Sequence, residues 1–250
     1  MSRKFWIATA ALALTGGLLP GAPVRADDKG TKVSGKVTWE GAIPERRKLE
    51  VNKDNEKCEC DAKSGAKQAF KLDESLIVDA STKGVANCVV FLKGASGGPT
   101  LGPAQIDQKG CMFSPHVSVI TKGQAVKVLN PDKIAHNFHW ISKDNPSDNK
   151  TIARFKPFLD TPAFDKPEFI KVVCDIHLWM GGWVAVMDNG YVGLTDEKGG
   201  FSIAGLPPGK YKLACWHEPL SAEGSPILME KDLTVEAGKD ASMDFSLSAK

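Results

Sequence analysis

Past residue 26 the chain lacks any stretch with sustained 3.6-residue apolar periodicity. That absence argues against a helical fold and leaves short strands as the building material. No apolar run beyond residue 26 approaches the ~20 residues a bilayer-spanning helix needs. There is no basic block with interleaved aromatics, which excludes nucleic acid as the expected partner. Repeats and low-complexity tracts are absent as well. Hydrolase signatures are missing too: no Ser or Cys nucleophile sits in a strained Gly-flanked turn, and no His-Glu-x2-His helix exists. His217-Glu218 after Trp216 therefore reads as a strand-end surface pair.

What is present begins with an export signal. Met1-Ser-Arg3-Lys4 is a short basic start, residues 5–19 are apolar with small side chains, and Val24-Arg25-Ala26 ends in the small residue that cleavage requires. No Cys follows where a lipid would be attached, so residues 1–26 are expected to be removed from a soluble exported protein. An uncleaved N-terminal anchor is the alternative. Without those residues 29 Lys and Arg face 30 Asp and Glu, so net charge names no partner. Export to the periplasm or cell surface means that each of the six cysteines should be bridged, buried or metal-bound.

Short β-branched runs bounded by Gly, Pro, Asn and Asp recur at residues 32–39, 76–78, 87–93, 117–120, 124–130, 169–174 and 183–188. They continue at 191–195, 200–204, 209–217, 230–235 and 242–247. Many short strands at this spacing predict an all-β chain of sandwiches or barrels. Residues 142–167 are polar and carry Pro146, Pro157, Pro162 and Pro167, which rules out a regular central strand there. From Tyr191 the chain turns into compact hairpins. Their turns are Asp196-Glu-Lys-Gly-Gly200 and Leu206-Pro-Pro-Gly209, in which Pro and Gly supply the angles tight connections require. The expected organisation is thus residues 27–189 as one unit with an N-terminal extension, and 190–250 as a small second sandwich.

Residues 169–174 read as a strand entering a loop that offers Cys174, His177 and Met180, and Gly181-Gly182 releases that loop into the next strand. His136 follows the predicted strand 124–130. A thiolate, two imidazoles and a thioether are the donors of a type 1 copper site, where soft sulfur favours Cu(I) and imidazole suits Cu(II). Asn130-Pro-Asp-Lys-Ile-Ala-His136-Asn137, followed by Cys174-x2-His177-x2-Met180-Gly, resembles the plastocyanin/azurin-like cupredoxins. The short ligand spacing is most similar to that of amicyanin-type members. The likeness covers roughly residues 115–190 and implies a Greek-key β-sandwich holding one type 1 copper ion. It makes His136, Cys174 and His177 the equatorial ligands and Met180 the axial one, with Asn137 bracing the ligand loop. His139 competes with His136 as the upstream ligand. A structural Cys174 with core His and Met remains the alternative. Trp140, Trp179 and Trp183 read as packing or as an apolar collar around the metal.

From residue 190 the Thr-Asp turn, the strand at Phe201, the Leu206-Pro-Pro-Gly turn and the strand at Tyr211 resemble the carboxypeptidase regulatory-like domain, a transthyretin-like β-sandwich without a peptidase site. Among the other cysteines, Cys111 pairs with Cys58 or Cys60, or joins His116 at a second metal. Cys88 and Cys215 lie inside apolar strands and read as small buried hydrophobes. The resemblance implies one-electron transfer with a redox partner protein and no catalysis, because four protein ligands leave no open position for substrate. A non-redox envelope binding or adhesion module, or a periplasmic copper carrier, are the competing functions.

Overall fold

A computed structural model describes residues 31–58, 70–154 and 158–249. The expected export signal and Cys60 lie outside the described residues. The described chain is all-β apart from one four-residue helix, Asn55–Cys58. No helix among the described residues is long and apolar enough to cross a membrane.

Two β-sandwiches pack against each other. In the first, a five-stranded sheet runs in the order Asp148–Ile152, His136–Ile141, Glu168–Val173, Gly181–Met187, Val117–Thr121. It faces a sheet of Leu159–Asp160, Val126–Leu129, Ala104–Gln108 and Phe113–Ser114. Phe113, Phe138, Trp140, Phe164, Ile170 and Val184 fill the space between them. The period of two along a strand decides who enters this core: His136, Phe138 and Trp140 point inward, while His139 points the other way and is partly exposed. Among its described residues the polar stretch 142–167 supplies an edge strand, a two-residue pairing and one isolated bridge at Phe164, in keeping with its prolines.

The second sandwich is not confined to residues 190–250. Thr31–Trp39 pairs antiparallel with Gly200–Leu206 and parallel with Ala241–Ser242 and Phe245–Leu247. Val89–Lys93 lies between Val192–Leu194 and Gly209–His217, with Ile227–Val235 completing that sheet. Val33, Val90, Leu92, Phe201, Leu213 and Phe245 form its core. The division expected at residue 190 is corrected accordingly: the first sandwich is an insertion between two strands of the second. The strands at 31–39 and 89–93 each turn one apolar face into the core that the C-terminal strands complete. Turn chemistry sets this arrangement locally. Asp196 accepts from the amides of Lys198 and Gly200 at 2.8 and 2.9 Å, and Thr195 Oγ1 accepts from Cys88 N–H while donating to Val85 O. Gly199 has φ +76°, and a Cβ there would lie 2.3 Å from Val37 O.

The sandwiches meet along a seam of Val89, Val117, Ala185, Met187 and Trp216. Gly181–Met187 is buried on both faces for this reason, and its run Trp-Val-Ala-Val-Met is correspondingly unbroken in hydrophobicity. Phe169 stacks on Trp216 at 4.1 Å, and Trp183 meets Trp216 edge-on at 5.3 Å. Trp183 therefore belongs to the seam, not to a collar around the metal loop. The expected surface pair His217-Glu218 is buried here, because Glu218 receives Trp183 Nε1–H at 2.9 Å and pairs with His116. His116 stands between Glu218 and Glu74, while Cys111 is bridged to Cys58.

Trp216→Ala is expected to destabilise the protein by about 3–5 kcal/mol, the usual cost of removing a large buried aromatic, read from the denaturant midpoint. Burial pushes His116 down, but its bond to Glu218 and the charges of Glu218, Glu74 and Asp73 outweigh that and raise its pKa. A raised folded pKa gives stability that is complete below the unfolded value of about 6.5 and lost as pH rises through the folded value. The difference in melting temperature between the protein and His116→Gln should therefore shrink with rising pH; a difference that grows would contradict the assignment.

Candidate metal centre

Three buried donors converge at one end of the first sandwich. His136 opens the strand His136–Ile141, and Cys174 and His177 come from the loop after Glu168–Val173. One donor atom from each of the three lies within 4.8 Å of the other two. His136 Nδ1 is 2.9 Å from His177 Nδ1, and Cys174 Sγ is 3.9 Å from that same nitrogen. The loop is a closed turn: Met180 N–H donates to His177 O at 2.9 Å, Cys174 N–H to Met180 O at 3.3 Å, and His177 N–H to Cys174 Sγ at 3.4 Å. Met180 is buried in the same core as Cys174. Gly182 then lets the chain pass close by residue 116, since a Cβ there would meet His116 O at 2.8 Å.

Each imidazole is held from behind by a carboxylate. His136 Nε2 meets Asp132 Oδ2 at 3.0 Å, and His177 Nε2 meets Asp54 Oδ2 at 3.0 Å. Such a partner on the outer nitrogen fixes the ring's orientation and leaves the inner nitrogen for a metal. Asp132 is itself positioned by Asn130, whose Oδ1 accepts from Asp132 N–H and whose Nδ2 donates to the carbonyls of Ile134 and Ile152. Asp132 also accepts from the amides of Gly110 and Cys111. Asn137 braces the ligand loop as the sequence suggests: Asp175 N–H donates to its Oδ1 at 2.7 Å, and its Nδ2 reaches Asp175 Oδ2. His139 pairs with Asp175 on the outer face and takes no place in the centre.

The sulfur of Cys174 is prepared for ligation. Burial pushes the thiol up, yet hydrogen bonds from the His136 and His177 rings and from the Asn137 and His177 amides bring its pKa down to about 6. A thiolate is the form that binds metal. Burial also presses His136 toward its neutral form, which Asp132 and the Cys174 sulfur more than offset. One thiolate and two imidazoles suit copper by donor chemistry. An ion with bonds of ~2.0–2.3 Å spaces its trigonal ligand atoms ~3.5–4 Å apart, so the separations found here need only a small parting of the two rings.

Of the residues in the motif, His136, Cys174 and His177 lie together, while Met180 shares their core; the motif misses both carboxylates. Asp132 had a signal, four residues before His136 in the same turn. Asp54 had none, because it comes from a distant segment outside the resemblance. That segment is fixed by a disulfide between Cys58 and Cys111, one of the two pairings expected. Cys88 and Cys215 are free and buried in the second sandwich. Trp140 is core, with Nε1–H on Pro146 O, and Trp179 alone of the three tryptophans lies against the site, 5.2 Å from the His177 ring.

No family model matches the chain, and no curated protein matches it. Partial likeness runs to solved cupredoxin structures. A purple cupredoxin from Nitrosopumilus maritimus is 23% identical, covering 34% of this chain and 99% of its own, with a TM-score of 0.29. A mutant amicyanin in its reduced state is 17% identical, covering 34% of this chain and 83% of its own, at 0.31. A copper-containing nitrite reductase from Thermus scotoductus SA-01 is 23% identical over 38% of this chain at 0.29, and only 24% of that enzyme is spanned. Likeness at these TM-scores carries no functional information.

The ultraviolet absorbance of thiolate in the metal-free protein should titrate with a step near the pKa of about 6 assigned to Cys174, and the step should vanish in Cys174→Ser. A step that survives the substitution belongs to another cysteine.

Proposed function

We propose that the chain is an exported electron carrier with one type 1 copper ion held by His136, Cys174, His177 and, axially, Met180. The convergence of two carboxylate-backed imidazoles on a low-pKa buried thiol carries this reading. Copper bound there would supply one-electron cycling between Cu(I) and Cu(II). The protein's own part is to keep the donors in place through that change. Asp132 and Asp54 stop the rings from turning, Asn137 ties the loop to the neighbouring strand, and the closed turn at residues 174–180 fixes the sulfur. Four protein donors leave no open position for a substrate, so the reading is a carrier and not an enzyme.

Electron exchange requires a partner to come close. Leu178 is 79% exposed, directly after the buried His177, and Trp179 lies beneath the same turn. An apolar contact at the ligand loop favours docking of a redox partner protein there. The second sandwich has no comparable donor set among its described residues. Its Thr-Asp and Leu-Pro-Pro-Gly turns fit a carboxypeptidase regulatory-like module acting as scaffold.

Loading with Cu(II) should produce an intense visible band from thiolate-to-copper charge transfer, and Cys174→Ser should remove it. Oxidised, copper-loaded protein without such a band would falsify the proposal. Voltammetry should give a stable reversible couple, whereas loss of copper on reduction would favour delivery of the ion instead. Asp132→Asn and Asp54→Ala should each weaken copper binding by about 10–100-fold, the usual effect of losing a partner behind a ligand histidine, measured by chelator competition.

A further inference from the structure

The disulfide lies directly behind the two imidazoles. Cys58 and Cys111 are fully buried, and their sulfurs with one ring nitrogen of His177 all lie within 4.8 Å of one another. Cys111 also falls within the same span of Asp132 and His136. The pair is the point to which the supports of the centre are tied. Cys58 N–H donates to the backbone carbonyl of Asp54, whose carboxylate holds His177. The Cys111 amide donates to Asp132, and the Cys111 carbonyl receives Trp179 Nε1–H at 3.0 Å. Asp54 and Cys111 both adopt left-handed backbone, with φ of 51° and 55°, which Asp tolerates and which is uncommon for Cys.

Bridged sulfurs are poor ligands, but two thiols and an imidazole at this spacing are a soft-metal donor set. The strap that carries Cys58 is lightly anchored: between Val51 and Cys58 every side chain is exposed, and Asp54 is its one described side-chain link to the centre. We propose that Cys58 and Cys111, once reduced, form with His177 a second site that binds Cu(I) and that the disulfide keeps closed. The reductant is a dithiol. Its thiolate attacks one sulfur, the S–S bond breaks, two electrons and two protons pass to the cysteines, and the dithiol leaves as its own disulfide. Binding Cu(I) then releases the two thiol protons and forms two Cu–S bonds and one Cu–N bond. Because His177 belongs to both donor sets, the second site competes with the first for one imidazole.

The test uses the full chain carrying Cys60→Ser and Cys174→Ser, which leaves Cys58, Cys111 and His177 intact and removes the thiolate of the first site. Failure here therefore leaves the type 1 reading untouched, and failure of that reading leaves this one standing. Cu(I) is offered in competition with a chromogenic chelator before and after reduction by a phosphine, which does not supply a competing thiol. The disulfide form should withdraw no copper, and the reduced form should withdraw one equivalent, with two sulfur and one nitrogen neighbours by X-ray absorption. Adding His177→Ala should weaken that binding at least tenfold, and adding Cys58→Ser with Cys111→Ser should abolish it. Should reduction unfold the chain, Cu(I) is expected to restore the native circular dichroism, since binding to a folded site drives folding. Copper uptake equal in the bridged and reduced forms, uptake without Cys58 and Cys111, or no uptake and no refolding would each overturn the proposal.

Discussion

Two imidazoles brought Nδ1 to Nδ1 at 2.9 Å, with a sulfur beside them and no water-facing edge, set the terms for the rest of the molecule. Burying three titratable groups together costs free energy unless each finds a partner. The structure meets that cost in layers. The inner atoms bond one another, the outer nitrogens bond Asp132 and Asp54, and those carboxylates are held by backbone amides or by the short turn that carries them. Remove one carboxylate and a ring gains freedom at the point where its direction matters most. The same layering explains the thiol, whose acidity comes from donors that the fold has already placed.

The sequence and the structure agree best where chemistry and periodicity coincide. The strand at residues 183–188 was legible because a continuous apolar run has few other uses, and the seam later explains why it is apolar on both faces. His136–Ile141 was not predicted as a strand. Two His and an Asn hide its alternation, although Phe138 and Trp140 share a face with His136. That alternation is what separates His136 from His139, a choice that spacing alone left open. Cys174 and His177 were readable as neighbours in one loop from their order. Asp54 was not, because the contact between residues 54 and 177 depends on the disulfide that fixes its segment, and a disulfide leaves no local pattern.

His217 and Glu218 illustrate a different limit. A polar pair at the end of a strand normally meets water, and nothing in the local sequence shows that the first sandwich covers it. Once covered, Glu218 requires donors, and His116 and Trp183 supply them from the other unit. The seam is thus apolar by area but oriented by a few buried polar bonds, which fix how the two sandwiches register.

The insertion of one sandwich into the other has a mechanical consequence. Residues entering and leaving the first sandwich pass through Val89–Lys93 and Val192–Leu194, which are hydrogen-bonded neighbours. A unit hung on a single linker swings; one whose two ends are clamped side by side cannot. His116 adds a third fastening, because its carbonyl accepts from Trp183 in the strand that leaves the ligand loop while its ring is bound to Glu218. The orientation of the turn at residues 174–180 relative to the rest of the chain is therefore inherited from the second sandwich. A molecule that grips the second sandwich would find the turn at residues 174–180 already aimed.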